Sequence, residues 1–178
     1  MGAWRELIDE VARTRHASLV GYGVLLTASR PAAEDLVQDA MVKVFSRVRP
    51  IPNVAAADQY VRRAMRTMYL DETRRAASSR RVRPIIATPD AVEGPETQVT
   101  EASAIRDALT LLSPRERACV VLRHFDDLTV PQIAGRTGLA QGSVKRYLSD
   151  GLRKLGAELT SDAHETETHV TVIERRSR

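Results

Sequence analysis

The chain has 178 residues, 43% of them apolar and 28% charged, which is long enough to bury one core or two small ones. Its single cysteine, Cys119, excludes an internal disulfide framework and a cysteine-cluster zinc site, and no apolar run is long enough for a membrane span. The acidic start of the chain does not resemble a signal peptide, so we expect a soluble protein of a reducing, cytoplasmic compartment. The net charge of +4 excludes little until its distribution along the chain is known.

Apolar residues at helical spacing predict two helices in the first part of the chain. The first covers about 4–27 and is followed by Ser29, an expected N-cap, and by Pro31, which a first helical turn tolerates. The second helix, over 33–45, has one apolar stripe, formed by Val37, Ala40, Met41, Val44 and Val48. Its opposite face carries Glu34, Asp35, Gln38 and Asp39. By periodicity alone, this face is a solvated acidic turn that the helix dipole favours.

A loop over 50–57, restricted in shape by its prolines and by Asn53, leads to a third predicted helix over 58–76. We expect its apolar packing from Tyr60, Val61, Ala64, Met68 and Leu70. Arginines cover its outer surface, and arginine suits phosphate because the planar guanidinium donates two parallel hydrogen bonds. A solvated basic face is the alternative, but the arginines continue beyond the helix, which favours nucleic acid.

The charges are strongly segregated along the chain. From Tyr60 to Arg83 there are eight arginines against two acidic residues, whereas positions 84–104 hold four acidic residues and no basic one. A basic block followed by an acidic, proline-containing stretch indicates a domain edge and then a linker, which we place over 77–103. The alternative is a surface loop within one domain, although a structureless loop of that length is unusual in a compact domain.

Helical patterns resume after this linker. An apolar stripe consists of Ala104, Ala108, Leu111 and Leu112. Ser113 and Glu116 then form a capping box, with proline at the first helical position. The helix that follows turns five residues inward, namely Ala118, Cys119, Val121, Leu122 and Phe125. We expect Cys119 to act as a small buried hydrophobe rather than as a reactive thiol.

The segment from Leu128 to Leu155 predicts a helix-turn-helix. Thr129 and Gln132 form a second capping box, a short helix ends at a turn containing Gly138, and a second helix begins near Gln141. The inward stripe of that helix is Val144, Leu148, Leu152 and Leu155. Its exposed positions include Gln141, Ser143, Lys145, Arg146 and Tyr147. These donors and positive charges suit base edges and phosphates in a major groove.

Three segments in this order resemble bacterial RNA polymerase sigma factors: AEDLVQDAMVKVF, YVRRAMRTMYLDETRR and LSPRERACVVLRHFDDLTVPQIAGRTGLAQGSVKRYL. The length is similar to that of the extracytoplasmic-function (ECF) class, which keeps only the second and fourth sigma regions. The resemblance implies an all-α fold of two small helical domains, over 1–76 and 104–159. The flexible acidic linker over 77–103 would join them, and residues 160–178 would form a disordered polar tail.

The resemblance also implies roles for individual residues. The surface of Asp35, Leu36, Gln38 and Asp39 would dock on the clamp helices of the polymerase largest subunit, which replaces the solvated-face interpretation. Melting and reading of the promoter −10 element would involve Asn53, Tyr60, Arg62, Arg63, Arg66, Thr67, Arg74 and Arg75. The −35 element would be read by Gln141, Ser143, Lys145, Arg146 and Tyr147. The linker would thread the active-site cleft and RNA exit channel of the polymerase.

Four positions depart from the pattern that relatives show. Thr67 and Tyr60 stand where many relatives have Asn and Trp, so we expect melting specificity to differ. Ala140 stands where a Ser often caps the recognition helix, and losing that cap should cost about 1 kcal/mol of stability unless Gln141 or a DNA phosphate compensates. Tyr147 replaces a common Arg, so the −35 contacts cannot be copied as a set. In the tail, the sequence HETETH beginning at His164 brings possible metal ligands together, but a disordered polar tail is the simpler interpretation.

Three functions compete at this stage. A sigma factor would bind core polymerase and promoter DNA by binding energy alone, without enzymatic chemistry, cofactor or metal, as a monomer restrained by an anti-sigma factor. A dimeric helix-turn-helix regulator would bind duplex operator DNA, but no coiled-coil seam is present and the arginines lie away from the helix-turn-helix. A helical nucleic-acid enzyme is disfavoured because the histidines outside the tail lack ligand spacing and no Gly-rich phosphate loop exists.

Overall fold

The computed structural model describes the backbone over 2–46, 50–82 and 101–175, and the side chains over 4–46, 50–78 and 105–158. Every regular element within these ranges is an α-helix, which confirms the all-α prediction. The chain divides into two compact units, Met1–Glu96 and Thr97–Arg178, called here the first and second units.

The first unit packs three helices against one another: α1 (Gly2–Thr27), α2 (Arg30–Phe45) and α3 (Val54–Val82). Its fully buried large side chains are Val11, Leu19, Leu26, Val37, Val61 and Met65. Gly23 lets α1 and α2 approach closely, because a Cβ at this position would lie 2.9 Å from the Cβ of Ala33. The predicted stripe of α2 is buried at Val37, Ala40 and Val44, while Met41 is half-buried. Val48 lies outside the described residues.

Two caps define the starts of α2 and α3. Ser29 is the N-cap of α2, as predicted, and its hydroxyl accepts a hydrogen bond from the Ala32 N–H over 3.4 Å. The predicted loop over 50–57 is too long, because α3 begins at Val54. The Asn53 side-chain oxygen accepts from the Ala56 N–H over 2.9 Å and so starts the helix four residues earlier than periodicity indicated.

The third helix also differs from its prediction at its end and in its packing. It continues to Val82, beyond the predicted end at position 76, since alanine and arginine are good helix formers. Val61 and Leu70 are buried as predicted, but Tyr60 is exposed, and Met65 and Tyr69 are buried instead. The linker predicted over 77–103 is too long at both ends, because residues 77–82 continue α3 and residues 101–103 are helical, while residues 83–100 lie outside the described residues.

The second unit contains α4 (Glu101–Thr110), α5 (Pro114–His124), α6 (Val130–Thr137) and α7 (Gln141–Arg175). The last helix packs against each of the other three. The core comprises Ala108, Leu109, Leu112, Ala118, Cys119, Val120, Val121, Leu122, Leu128, Ile133 and Val144.

Three predicted core residues of the second unit are exposed: Leu111, Phe125 and Leu152. Phe125 is the C-cap of α5, where the chain leaves the helix and its side chain leaves the packed face. Leu152 is exposed because the neighbouring residue Gly151, and not Leu152, faces α5. A Cβ at Gly151 would lie 2.9 Å from Val120 Cγ2, so the close approach of the two helices occurs there.

Both predicted capping boxes are present in the second unit. The Ser113 N–H donates to Glu116 Oε2 over 2.8 Å and the Glu116 N–H donates to Ser113 Oγ over 3.4 Å. The Thr129 N–H donates to Gln132 Oε1 over 2.8 Å. A feature that periodicity did not predict is the buried Arg117, which donates to the carbonyl oxygens of Leu109 and Leu112. It thereby satisfies backbone acceptors around the end of α4.

The end of the chain differs from the predicted disordered tail. The backbone of α7 continues as a helix to Arg175, because an established helix adds one hydrogen bond for each residue that extends it. The side chains of the HETETH segment lie outside the described residues. Among the residues described, no helix is long and apolar enough to cross a membrane, and no group of three or more His, Cys, Asp or Glu could hold a metal.

Candidate nucleic-acid interface and partner surface

A glycine in the left-handed conformation and a buried threonine hydroxyl form the turn of the helix-turn-helix in the second unit. Gly138 ends α6 with φ of 70°, a conformation that glycine adopts without strain. The Thr137 hydroxyl donates to the Ile133 carbonyl oxygen over 2.7 Å and stays inside the fold. Ile133 of α6 and Val144 of α7 are fully buried. The first turns of α7 are therefore held in place by the packing of α6.

The five residues predicted to read the −35 element do not share one environment. Gln141, Lys145 and Arg146 are exposed, whereas Ser143 and Tyr147 are half-buried. The Tyr147 hydroxyl accepts a hydrogen bond from Arg115 Nη1 over 3.4 Å, which ties it to α5. The structure therefore leaves a three-residue polar surface at the start of α7 and turns Tyr147 partly toward the fold.

The outer face of α7 contains one basic residue that sequence reasoning missed. Arg153 is exposed and lies seven residues, or two helical turns, beyond Arg146, which places both on the same face. The seven-residue spacing was visible in the sequence and could have identified it. Asp150 lies between them and pairs with both, through Arg153 Nη2 at 3.0 Å and Arg146 Nε at 3.6 Å.

On the inner face of α7, a charged residue pairs with the neighbouring helix α5. Lys154 Nζ lies 2.9 Å and 3.0 Å from the two carboxylate oxygens of Glu116, which is buried on α5. Burial acts to raise the pKa of the Glu116 carboxyl, but hydrogen bonds from Lys154 and Ser113 outweigh it and lower that pKa. Burial raises the pKa of the nearby Cys119 thiol to about 11, so it stays protonated and unreactive, as predicted.

In the first unit, Arg62 is part of the fold and not of the exposed arginine surface. Its Nε lies 2.9 Å from Asp58 Oδ2, its Nη2 donates to Ser18 Oγ over 2.7 Å, and its guanidinium lies 5.0 Å from the centre of the Tyr22 ring. Only 26% of its side chain is exposed. The expectation that Arg62 decorates the exposed surface of α3 is wrong, because these contacts with α1 hold it against the fold.

Other predicted −10 residues form an exposed stripe on α3. Tyr60, Arg63, Thr67 and Arg74 follow at steps of three, four and seven residues, so they share a face, and each is exposed. Arg75 is also exposed, and Arg66 is half-buried. Arg74 Nη1 pairs with Asp71 at 2.8 Å. Asn53 lies at the start of this helix, where its side-chain oxygen is committed to the cap.

The predicted docking residues of α2 divide between a surface and a groove. Asp35, Gln38 and Asp39 are exposed, but Leu36 is buried and contributes a wall rather than a surface contact. Val42 is 63% exposed and lies one turn after Gln38, so it extends the exposed face with an apolar side chain that sequence reasoning missed. A groove between α2 and α3 is lined by Thr27, Ala32, Asp35, Leu36, Asp39, Lys43, Met68, Tyr69, Asp71, Glu72 and Arg75.

Comparisons with known proteins agree on one family. Residues 102–155 match the family model described as Sigma-70, region 4. An RNA polymerase sigma-E factor of Streptomyces antibioticus is 33% identical over 152 residues, covering 85% of this chain and 83% of the relative. The ECF RNA polymerase sigma factor SigL of Mycobacterium tuberculosis is 31% identical over 159 residues, covering 85% of each chain.

A solved structure supports the fold. The sigma factor RpoE of Bartonella quintana, in complex with the anti-sigma factor NepR, matches with a TM-score of 0.53 at 18% identity, covering 89% of this chain and 96% of that one. At this identity the match shows the fold alone. The sequence matches to full-length relatives are independent of it, and they agree with the resemblance carried by the ordered motifs. The chain belongs to the ECF class of RNA polymerase sigma factors.

Proposed function

We propose that this sigma factor binds core RNA polymerase through the exposed face of α2, reads the −35 element with α7, and reads and opens the −10 element with α3. The observation that carries this proposal is the exposed basic face of α7 at the end of a closed helix-turn-helix within the region 4 match. Binding energy performs the work, and the protein makes or breaks no covalent bond. We place this activity in the bacterial cytoplasm, where polymerase and promoter DNA lie.

The α2 face has the mixed chemistry of a protein interface. Asp35 and Asp39 supply negative charge, Gln38 can donate and accept, and Val42 adds an exposed apolar contact one turn further on. Its partner would be the clamp helices of the polymerase largest subunit. Exposed apolar side chains beside polar groups are common in specific protein interfaces.

The α3 stripe suits a strand that must leave the duplex. Arg63 and Arg74 can hold phosphates, while the exposed Tyr60 ring offers a face on which an unpaired base can stack. A flipped base of the non-template strand would be held at this stripe, since removing a base from the stack requires a compensating pocket or ring. Arg62 would act here indirectly, by fixing α3 against α1.

Restraint by a partner protein is a further part of the proposal. The matched RpoE structure contains an anti-sigma factor, and we infer that a protein of that kind covers the α2 face or the DNA-binding helices when this sigma factor is idle. The free protein would then be a monomer awaiting either partner.

Transcription with purified core polymerase on a randomised promoter library tests the function. The wild-type chain should select a two-box promoter and should bind core polymerase without DNA. The double variant Asp35→Arg and Gln38→Ala should lose both properties while keeping its helical content. Glu10→Arg, an exposed residue of α1, is a control that makes the same change of charge elsewhere in the unit. Promoter-directed transcription by the double variant would show that α2 is not the docking surface.

A dimeric operator-binding regulator is the competing function, and the same preparation separates the two. Tight binding of the isolated chain to a two-fold symmetric duplex, with no affinity for core polymerase, would replace the sigma-factor proposal.

A further inference from the structure

Asp150 is an acidic residue on the face of α7 that would meet DNA. Its Oδ1 lies 3.0 Å from Arg153 Nη2 and its Oδ2 lies 3.6 Å from Arg146 Nε. The two arginine side chains are 76% and 81% exposed, while that of Asp150 is 31% exposed. One carboxylate therefore lies below two outward-reaching guanidinium groups and contacts each through a different oxygen.

The contact with Arg146 leaves its recognition edge available. The ion pair with Asp150 is made by Nε, and 81% of the Arg146 side chain is exposed, so the pairing leaves the two terminal nitrogens available to an outside acceptor. Lys145, its neighbour, has no acidic partner in the described part of the chain. Because a guanidinium held at Nε loses less rotamer freedom on binding, the pairing prepares Arg146 for a bidentate contact.

We propose that Asp150 is a positioning residue for −35 recognition, which fixes Arg146 to read a guanine edge and Arg153 to hold a phosphate. The inference rests on the proposed function of α7. Arg146 lies near the N-terminal end of the helix, where recognition helices contact bases, and its free fork matches the O6 and N7 acceptors of guanine. Arg153 lies two turns further, about 10 Å along the axis, where the helix moves away from the bases toward the backbone.

The proposal makes a prediction opposite in sign to simple electrostatics. Removing a negative charge from a DNA-facing surface should strengthen binding to every duplex if Asp150 is only a surface charge. If Asp150 positions the arginines, Asp150→Asn should weaken binding to the selected promoter by about three- to tenfold, a fraction of one bidentate contact. Binding to a duplex with a scrambled −35 box should stay the same or rise.

Asp107→Asn is the matched control, because it removes the same charge from an exposed, paired aspartate on α4. The affinity of each variant is measured with the full chain bound to core polymerase, on promoters selected by the wild-type protein and on the scrambled duplex. Promoter affinity of Asp150→Asn equal to or above that of Asp107→Asn overturns the proposal. If the wild-type protein selects no −35 box at all, the proposed function fails instead, so the two failures are distinguishable.

Coupling between the residues gives a readout that a purely structural role would not change. Asp150→Asn should add little to the loss caused by Arg146→Ala and Arg153→Ala together, because its effect acts through those two arginines, but should add fully to Lys145→Ala. Asp150→Glu, which keeps the charge one methylene further out, should recover part of the promoter preference and provides a second variant if Asp150→Asn folds poorly. Fully additive losses with the double variant Arg146→Ala and Arg153→Ala, or no recovery by Asp150→Glu, would contradict the positioning role.

Discussion

Arg62 in the first unit and Arg146 in the second belong to the same local pattern, an arginine four residues from an aspartate on one helix face. In α3 the pair with Asp58 closes to 2.9 Å, and contacts with Ser18 and Tyr22 of α1 bury most of the arginine. In α7 the pair with Asp150 is looser, at 3.6 Å, and the arginine is 81% exposed. The comparison teaches that an arginine paired with an aspartate on its own helix is either held in the fold or left exposed, and that contacts with a neighbouring helix decide which.

The largest effect that tests this comparison is on DNA binding. Replacing Lys145 and Arg146 together by alanine should lower −35 affinity by about tenfold or more at low salt, since two phosphate-competent charges are lost. The slope of log affinity against log salt should become shallower by about 2. The thermal midpoint should hardly move, because both side chains are exposed. Titrations at several salt concentrations measure the slope, and an unchanged value would mean that these residues do not touch DNA.

The opposite behaviour is expected of Arg62. Arg62→Ala should lower the free energy of unfolding by about 2 kcal/mol, because it leaves the largely buried Asp58 carboxylate without its cation. Urea denaturation measures the loss, with Arg63→Ala as the control. Arg63 is exposed, so its replacement should change the stability by less than about 0.5 kcal/mol. Equal effects of the two variants would erase the distinction between structural and surface arginines on α3.

Two glycines of α7 show the same contrast between a packed position and an open one, since Gly151 faces α5 and Gly156 does not. Gly151→Ala should destabilise the second unit by about 1–2 kcal/mol, because the new Cβ would lie 2.9 Å from Val120 Cγ2. Gly156→Ala should stabilise it by about 0.5–1 kcal/mol, since nothing lies within 4 Å of its added Cβ and alanine is the better helix former. Thermal or urea unfolding of the two variants is the measurement, and a stabilising Gly151→Ala would show that α5 and α7 pack less closely than described.

The smallest expected effect concerns Glu116, the buried carboxylate that pairs with Lys154 on the inner face of α7. Hydrogen bonds from Lys154 and Ser113 lower the pKa of Glu116 in the folded state, so its contribution to stability is complete above its ordinary pKa of 4.5 and is lost as the pH falls below it. Glu116→Gln should therefore flatten the loss of stability on acidification. Unfolding of the wild-type protein and of Glu116→Gln, measured between neutral and strongly acidic pH, checks the sign. A wild-type stability that rises on acidification would contradict the assignment.

Local signals in the sequence predicted the helices, the caps and the family more fully than the packing. Ser29, the Ser113–Glu116 box and the turn at Gly138 were all predictable, because each depends on residues within one turn of the chain. Exposure was predicted less well. Tyr60, Phe125 and Leu152 are apolar or aromatic at helical spacing, yet all three are exposed, since spacing along one helix does not say which of its faces another helix covers.

The candidate site shows the same division. The residue types and spacing of α3 and α7 were sufficient to predict a nucleic-acid-binding protein, because charge segregation and helix-turn-helix spacing are properties of the chain itself. The promoter elements and the role of α2 were implied only by the resemblance to sigma factors. Val42 and the burial of Leu36 became visible only when the helix faces were placed against their neighbours, whereas the spacing of Arg153 from Arg146 was already visible in the sequence.

The sequence by itself determined that this is an all-helical chain with an arginine-rich helix, a helix-turn-helix and the motif order of an ECF sigma factor. The net charge of +4 and the count of arginines could not say which arginines are available to DNA. Only the tertiary structure decided that Arg62 is held by α1 and that Arg146 reaches outward beside Asp150. The physical reason is that periodicity defines the faces of one helix, whereas burial depends on residues 44 positions away in the chain, as the Arg62–Ser18 hydrogen bond shows.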